Sequence, residues 1–178
     1  MDNTQHPTHD SSPITHRSVE SSSKAVELGE LLRDRGLTVA VAESCTGGGL
    51  ADAITNVPGS SDYFLGGVVS YSNGAKERIL GVDTNLLISQ GAVSEPVARA
   101  MANGVRRLFG ADLAAGITGI VGPGGATEDK PVGLVYIAIA SSDGTVVYRH
   151  QWDRDRIGNK QLSVDAALEA LLESIGKP

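Results

Sequence analysis

Two side chains in this sequence are placed to do acyl-transfer chemistry without a metal: a serine and a lysine, each where a predicted strand gives way to a predicted helix. Ser44 stands in the run Val39-Ala40-Val41-Ala42-Glu43-Ser44-Cys45-Thr46-Gly47-Gly48. Ligands of α/β proteins bind at such junctions, outside the carboxyl end of a strand and at the amino end of a helix. Backbone amides there are unpaired and able to hold a developing oxyanion. A serine nucleophile needs a base, and histidine is the usual one. His6, His9 and His16 fall in a polar leading segment, and His150 falls deep in a predicted strand. That leaves Lys76, which follows Asn73, read here as the N-cap of its helix. The positive end of a helix dipole and any burial both disfavour an ammonium, lowering the amine's pKa towards that of a working base. Each residue also has a plain reading: Ser44 and Thr46 as helix caps, Lys76 as a solvent-facing lysine. Glu43 acts against the base reading, since a nearby carboxylate would hold Lys76 protonated.

Other residues could complete a site around this pair. Tyr71, ending a predicted strand, would bring a phenol to the same sheet edge to relay a proton or orient a ligand, or would simply pack at the rim. Gly119-Ile120-Val121-Gly122-Pro123-Gly124-Gly125 is a loop whose glycines let a ligand approach the backbone. It lacks the Gly-Lys-Ser/Thr of a phosphate-binding P-loop and the spacing of a dinucleotide signature, so neither ATP nor NAD is indicated. Arg154 and Arg156, just before the last helix, would fork onto a phosphate or lie in a solvated turn. Ser60 and Ser61 would bond a phosphate or close their own turn. Cys45 reads as buried packing rather than as a nucleophile. No Cys, His or carboxylate pattern supports a metal site.

The elements that must hold these residues follow from periodicity. Residues 1 to about 22 have almost no apolar pattern and read as a disordered tail, leaving residues 23–178 as one domain. Val26, Leu28, Leu31 and Leu32 recur at near-helical spacing up to Gly36, a natural residue just past a helix end. A strand follows over Leu37 to Ala42, then a helix to about Asn56. The reading continues with a strand from Gly66 to Tyr71, a helix from Gly74 to Leu80, a short helix from Asp83 to Gln90, and a longer one opened by Ser94-Glu95-Pro96. Leu113 to Thr118 is a second buried strand. Val132 to Ala140 and Thr145 to Gln151 form a hairpin around Ser142-Asp143-Gly144, before a helix from about Gly158 to Ile175. Helices alternating with strands, then a hairpin, predict a three-layer α/β/α sandwich with a mixed, mostly parallel sheet.

Composition narrows the function classes. A chain of 178 residues needs one core, and a formal charge of −6 argues against non-specific nucleic-acid binding. A single cysteine forms no internal disulfide, and no apolar run approaches the ~20 residues that span a bilayer. The expectation is a soluble cytoplasmic protein with no cofactor. Glycine- and alanine-rich helices suit a homodimer.

Taken together, Ala42-Glu43-Ser44-Cys45-Thr46-Gly47-Gly48, Gly59-Ser60-Ser61, Tyr71-Ser72-Asn73 with Ala75-Lys76, Gly91-Ala92-Val93-Ser94-Glu95, Gly119-Ile120 with Gly122-Pro123, and Lys130-Pro131-Val132-Gly133 resemble the CinA carboxy-terminal domain, or nicotinamide-nucleotide amidohydrolase, family. The resemblance implies hydrolysis of nicotinamide mononucleotide to nicotinate mononucleotide and ammonia through a Ser-Lys dyad and an acyl-enzyme, with no metal. It puts the family's serine on Ser44, its lysine on Lys76, its tyrosine on Tyr71 and its Asp-Arg pair on Asp155-Arg156. The expected substrate-binding set is Thr46, Gly47, Gly48, Ser61, Asn73, Gly119, Gly122 and Arg156. Amides near Thr46 and Gly47 would hold the oxyanion, Arg156, Ser61 and the glycine loop would hold phosphate and ribose, and Arg156 would also depress the Lys76 pKa by like-charge repulsion. The family usually has Gly before that Asp-Arg and Arg a few residues later, where this chain has Arg154 and Lys160. The alternatives are a non-catalytic nucleotide-binding module and an interaction protein linked to competence or DNA damage.

Overall fold

The computed structural model describes residues 16–176. Among them five strands form one sheet in the order β2-β1-β3-β4-β5: β1 (Val39–Glu43), β2 (Phe64–Val69), β3 (Leu113–Gly119), β4 (Leu134–Ser141) and β5 (Gly144–Gln151). The β1 strand pairs parallel with both β2 and β3, whereas β4 pairs antiparallel with both β3 and β5. Four strands therefore point one way and β4 alone runs back, as a hairpin partner of β5. The carboxyl ends of β1, β2 and β3 thus lie along one edge of the sheet, with Glu43 opposite Val69 on one side and Ile117 on the other.

Alternating side chains on β1 and β3 divide the interior into two unlike faces. Val39, Val41, Ala115 and Ile117 pack with Leu28, Leu32, Leu50, Leu168 and Leu171, the buried stripes of α1 (His16–Arg35), α2 (Gly49–Thr55) and α6 (Arg156–Ile175). Ala40, Ala42 and Ala114 face Leu80, Leu87, Val97, Met101 and Val105, from α3 (Asn73–Leu80), α4 (Thr84–Gln90) and α5 (Glu95–Phe109). The second face is built for close approach. A β-carbon added at Gly116 would stand 2.6 Å from the Ala102 nitrogen, and one at Gly104 would stand 2.1 Å from the Leu80 carbonyl oxygen. The three layers and the direction of the sheet match the sequence-based expectation.

Several boundaries differ from that expectation. Helix α1 begins at His16, inside the segment read as a tail; once a helix is docked, each added residue contributes one more hydrogen bond at little nucleation cost. Residues 1–15 of that tail lie outside the described residues. The N-cap of α3 is Ser72 rather than Asn73: its Oγ accepts from the Ala75 amide at 3.2 Å. Helix α6 starts at Arg156, two residues before the glycine taken as its start, because the Asp155 carboxylate caps it by accepting from the Gly158 amide at 2.7 Å.

Candidate active site

Ser44 is the first residue beyond β1, and its amide donates to the Ile117 carbonyl of β3 at 3.1 Å, so the sheet ladder fixes it. The four-residue turn that follows closes with the Gly47 amide donating to the Ser44 carbonyl at 3.2 Å, and left-handed Gly47 and Gly48 carry the chain into α2. Neither Ser44 nor Thr46 caps that helix. The buried Glu43 carboxylate does so, accepting from the amides of Gly48 and Leu50 at 3.1 Å each and of Ala51 at 2.8 Å. A carboxylate on the unpaired amides of a first turn is favourable both as a hydrogen-bond acceptor and against the helix dipole. This overturns two expectations: Glu43 faces the α2 amides, and the Gly47 and Gly48 amides are engaged within the turn itself. Thr46 is 1% exposed, with a hydroxyl that has no hydrogen-bond partner.

Lys76 comes from the first turn of α3, which leaves β2 at the same sheet edge. Its side chain is 1% exposed, and its Nζ donates to Ser44 Oγ at 3.0 Å and to the Ser70 carbonyl at 2.6 Å. Burial is the main cause that holds its pKa below that of an ordinary lysine. The expected repulsion by Arg156 is not among the causes: the Cys45 group acts on Lys76 in the opposite sense, raising the pKa. Cys45 is itself a poor nucleophile, since burial pushes its thiol up to about 12. His150 stacks on Trp152 with ring centroids 4.6 Å apart, and is not among the residues lining the cleft.

Ser44 and Lys76 open into a cleft of about 250 Å³, walled by Tyr71, by Ala92 and Val93, by β3-terminal Thr118 and Gly119, by the glycine loop, and by Arg156. The Arg156 guanidinium spans it, donating to the Tyr71 hydroxyl at 3.1 Å and to the Gly122 carbonyl at 2.7 Å. Gly119 and Gly122 are required as glycines. A β-carbon at Gly119 would stand 2.6 Å from the Val135 side chain, and one at Gly122, where φ is +84°, would stand 2.7 Å from Val132.

Of the expected ligand contacts, Gly119, Gly122 and Arg156 line the cleft, whereas Thr46, Gly47, Gly48, Ser61 and Asn73 do not. Ser61 lies in the 3-10 turn Ser60–Asp62 that leads into β2, hence at the amino end of that strand, roughly 20 Å from the site at about 3.3 Å per strand residue. It takes no part in the cleft. Asn73 is an exposed first-turn residue of α3.

Two residues that sequence reasoning did not single out hold the walls. Asn159, fully buried in α6, accepts from the Arg154 amide at 3.0 Å and donates to the Val121 carbonyl at 3.2 Å. One turn of α6 thereby grips two successive loop carbonyls, Val121 through Asn159 and Gly122 through Arg156. Buried Thr118 donates to the Ala92 carbonyl at 2.8 Å and sets the opposite wall. The one local sign of Asn159 was a polar residue on an apolar helical stripe.

A three-layer α/β/α domain with a serine and a buried lysine meeting in a cleft at the strand ends is the class that fold and geometry define. The chain belongs to the CinA C-terminal domain family, whose sequence profile matches residues 21–175. A CinA-like protein from Gloeothece citriformis is 52% identical over 147 residues, covering 81% of this chain and 35% of that protein. Another, from Geobacter sulfurreducens, is 57% identical over 129 residues, covering 71% and 31%. This chain thus spans about a third of the length of these curated relatives. The crystal structure of competence/damage inducible protein CihA from Agrobacterium tumefaciens superposes with a TM-score of 0.85 at 38% identity, covering 89% of this chain and 96% of that one. A CinA superfamily protein from Klebsiella pneumoniae gives 0.84 at 32%, covering 87% and 97%. Among the described residues no helix is long and apolar enough to cross a membrane.

Proposed function

We propose that this domain is an amidohydrolase that converts nicotinamide mononucleotide to nicotinate mononucleotide and ammonia. The observation that carries the reading is the 3.0 Å contact between Ser44 Oγ and the Nζ of a lysine that is 1% exposed. A buried amine with no carboxylate ion-pair partner among the described residues favours its neutral form, whose lone pair accepts a proton. The Ser70 carbonyl takes one N–H of Lys76 and holds Nζ beside Ser44 Oγ, and in the neutral amine the 3.0 Å contact reverses, the hydroxyl donating to the nitrogen.

Ser44 Oγ attacks the carboxamide carbon as its proton passes to Lys76. The negative charge on the amide oxygen is met by the amides of Cys45 and Thr46, to which no backbone carbonyl is bonded among the described residues. The Lys76 ammonium returns the proton to the departing nitrogen, the C–N bond breaks, and ammonia leaves an ester on Ser44. Water then adds to that ester, giving one proton to Lys76, which passes it to Ser44 Oγ as the acyl C–O bond breaks; nicotinate mononucleotide leaves, its carboxyl proton lost to solvent, with Ser44 and neutral Lys76 restored. Tyr71 and Arg156, bonded to each other across the cleft, orient the substrate, and the apolar side chains of Val93, Ile120 and Val121 suit a flat aromatic ring.

Ammonia release from nicotinamide mononucleotide by the purified chain and by Ser44→Ala tests the reading. Turnover in the first and a loss of at least about a thousandfold in the second is the expected result. Nucleotide binding with no ammonia release from the unaltered chain would establish a binding module instead.

A further inference from the structure

We infer that Asn159 is a positioning residue that governs how tightly the cleft holds its substrate and takes no part in the bond-breaking step; the inference rests on the function proposed above. An amide at 0% exposure, on a helical stripe otherwise filled by Val164, Ala167, Leu168 and Leu171, costs free energy unless both of its ends are bonded. Both are. Its Oδ1 accepts from the Arg154 amide at 3.0 Å and its Nδ2 donates to the Val121 carbonyl at 3.2 Å; a backbone N–H only donates and a carbonyl only accepts, so the amide has one orientation that satisfies both.

These two bonds join segments that meet the substrate separately. Val121 lines the cleft and precedes Gly122, whose carbonyl accepts from the Arg156 guanidinium at 2.7 Å. Arg154 precedes the Asp155 cap and stands two residues before Arg156. Asn159 therefore fixes the spacing between the start of α6 and the loop, and with it the separation of the Val121 wall from the Arg156 side chain. It is not itself among the residues that line the cleft, so it acts on a ligand through those two. The reacting pair is held elsewhere: Ser44 by the Ile117 carbonyl of β3, and Lys76 by the Ser70 carbonyl just beyond β2. Freeing α6 from the loop thus weakens binding and leaves the Ser44–Lys76 contact as it is. Ser163, one turn along, supplies the control. Its Oγ accepts from Trp152 Nε1 at 3.0 Å and donates to the Asn159 backbone carbonyl at 2.7 Å, and neither bond reaches a residue that lines the cleft.

The test separates positioning from folding. KM and kcat for ammonia release from nicotinamide mononucleotide are measured for the unaltered chain, Asn159→Ala and Ser163→Ala, with thermal unfolding of each. Asn159→Ala is expected to raise KM about five- to tenfold at nearly unchanged kcat, which corresponds to about one hydrogen bond. Ser163→Ala is expected to lower Tm comparably and to leave KM alone. Asn159→Asp adds a readout that packing does not move: ionised, the side chain still accepts from the Arg154 amide but cannot donate to the Val121 carbonyl, whereas protonated it can. Its deficit in nucleotide affinity, read by calorimetry in the Ser44→Ala background against Ser44→Ala alone, should shrink between about pH 8 and about pH 5, as burial favours the neutral carboxyl. An unchanged KM in Asn159→Ala, a loss confined to kcat, an equal rise of KM in Ser163→Ala, or a pH-independent deficit in Asn159→Asp overturns the assignment. If the unaltered chain binds the nucleotide but releases no ammonia, the amidase reading fails, and the calorimetric affinities of the same variants decide on Asn159 by themselves; no binding at all overturns both.

Discussion

At the scale of the residue, the lysine carries the most specific consequences. Its pKa is depressed by burial, so the amine is protonated more readily in the unfolded chain than in the native one. The native state then loses stability as pH falls from the ordinary lysine value of 10.5 through the lower folded value, and regains it on the way up. Lys76→Met is therefore expected to resist urea better than the unaltered chain at neutral pH while losing turnover, and its advantage should shrink as pH approaches 10.5. Urea midpoints measured across that range check it; an advantage independent of pH would mean that the amine is not carried neutral. The same shift sets the acidic limb of kcat/KM, which rises with pH as Lys76 sheds its proton. Ser44 and Lys76 were legible because strand ends, a nearly histidine-free domain and a helix start all pointed to them. Glu43 was misread: its lead of seven and eight residues over the α2 amides it accepts from fits no capping spacing, and only the left-handed pair Gly47 and Gly48 folds it back.

At the scale of the element, helices and strands were legible where apolar spacing was regular, and the ligand contacts were not. Ser61 shows why. A sequence places it close to Tyr71, but parallel pairing of β1 with β2 fixes which end of β2 reaches the site, and that pairing is invisible until the sheet is built. Asn159 was hidden for a similar reason, since one of its partners, the Val121 carbonyl, comes from a loop 38 residues away. Removing its amide with Asn159→Ala should leave the Val121 carbonyl unpaired and cost about 1–3 kcal/mol, read as a lower urea midpoint. The packing of α5 makes a second prediction. Gly104→Ala forces a methyl against the Leu80 carbonyl at the end of α3, and overpacking of this kind costs about 1–3 kcal/mol. Thermal unfolding checks it, and an unchanged Tm would mean that α3 and α5 separate freely.

At the scale of the whole molecule, charge separates the readings. The formal charge of −6 gives no basic footprint for the phosphate backbone, and the cations near the cleft suit one small anion rather than a duplex. No retention of duplex DNA is expected at about 0.15 M salt, and salt-dependent binding in a titration would revive a role as a nucleic-acid partner. The two unlike faces of the sheet also bear on how such a sequence can change over time. Where Val39, Val41 and Ile117 meet long aliphatic side chains, one branched residue can trade volume with another. Beneath α5, where Gly116 lies against the Ala98 and Ala102 backbone, no larger residue has anywhere to go. Substitutions should therefore accumulate on one flank and be purged from the other, so that descendants of this chain diverge lopsidedly around a strand-end cleft common to both.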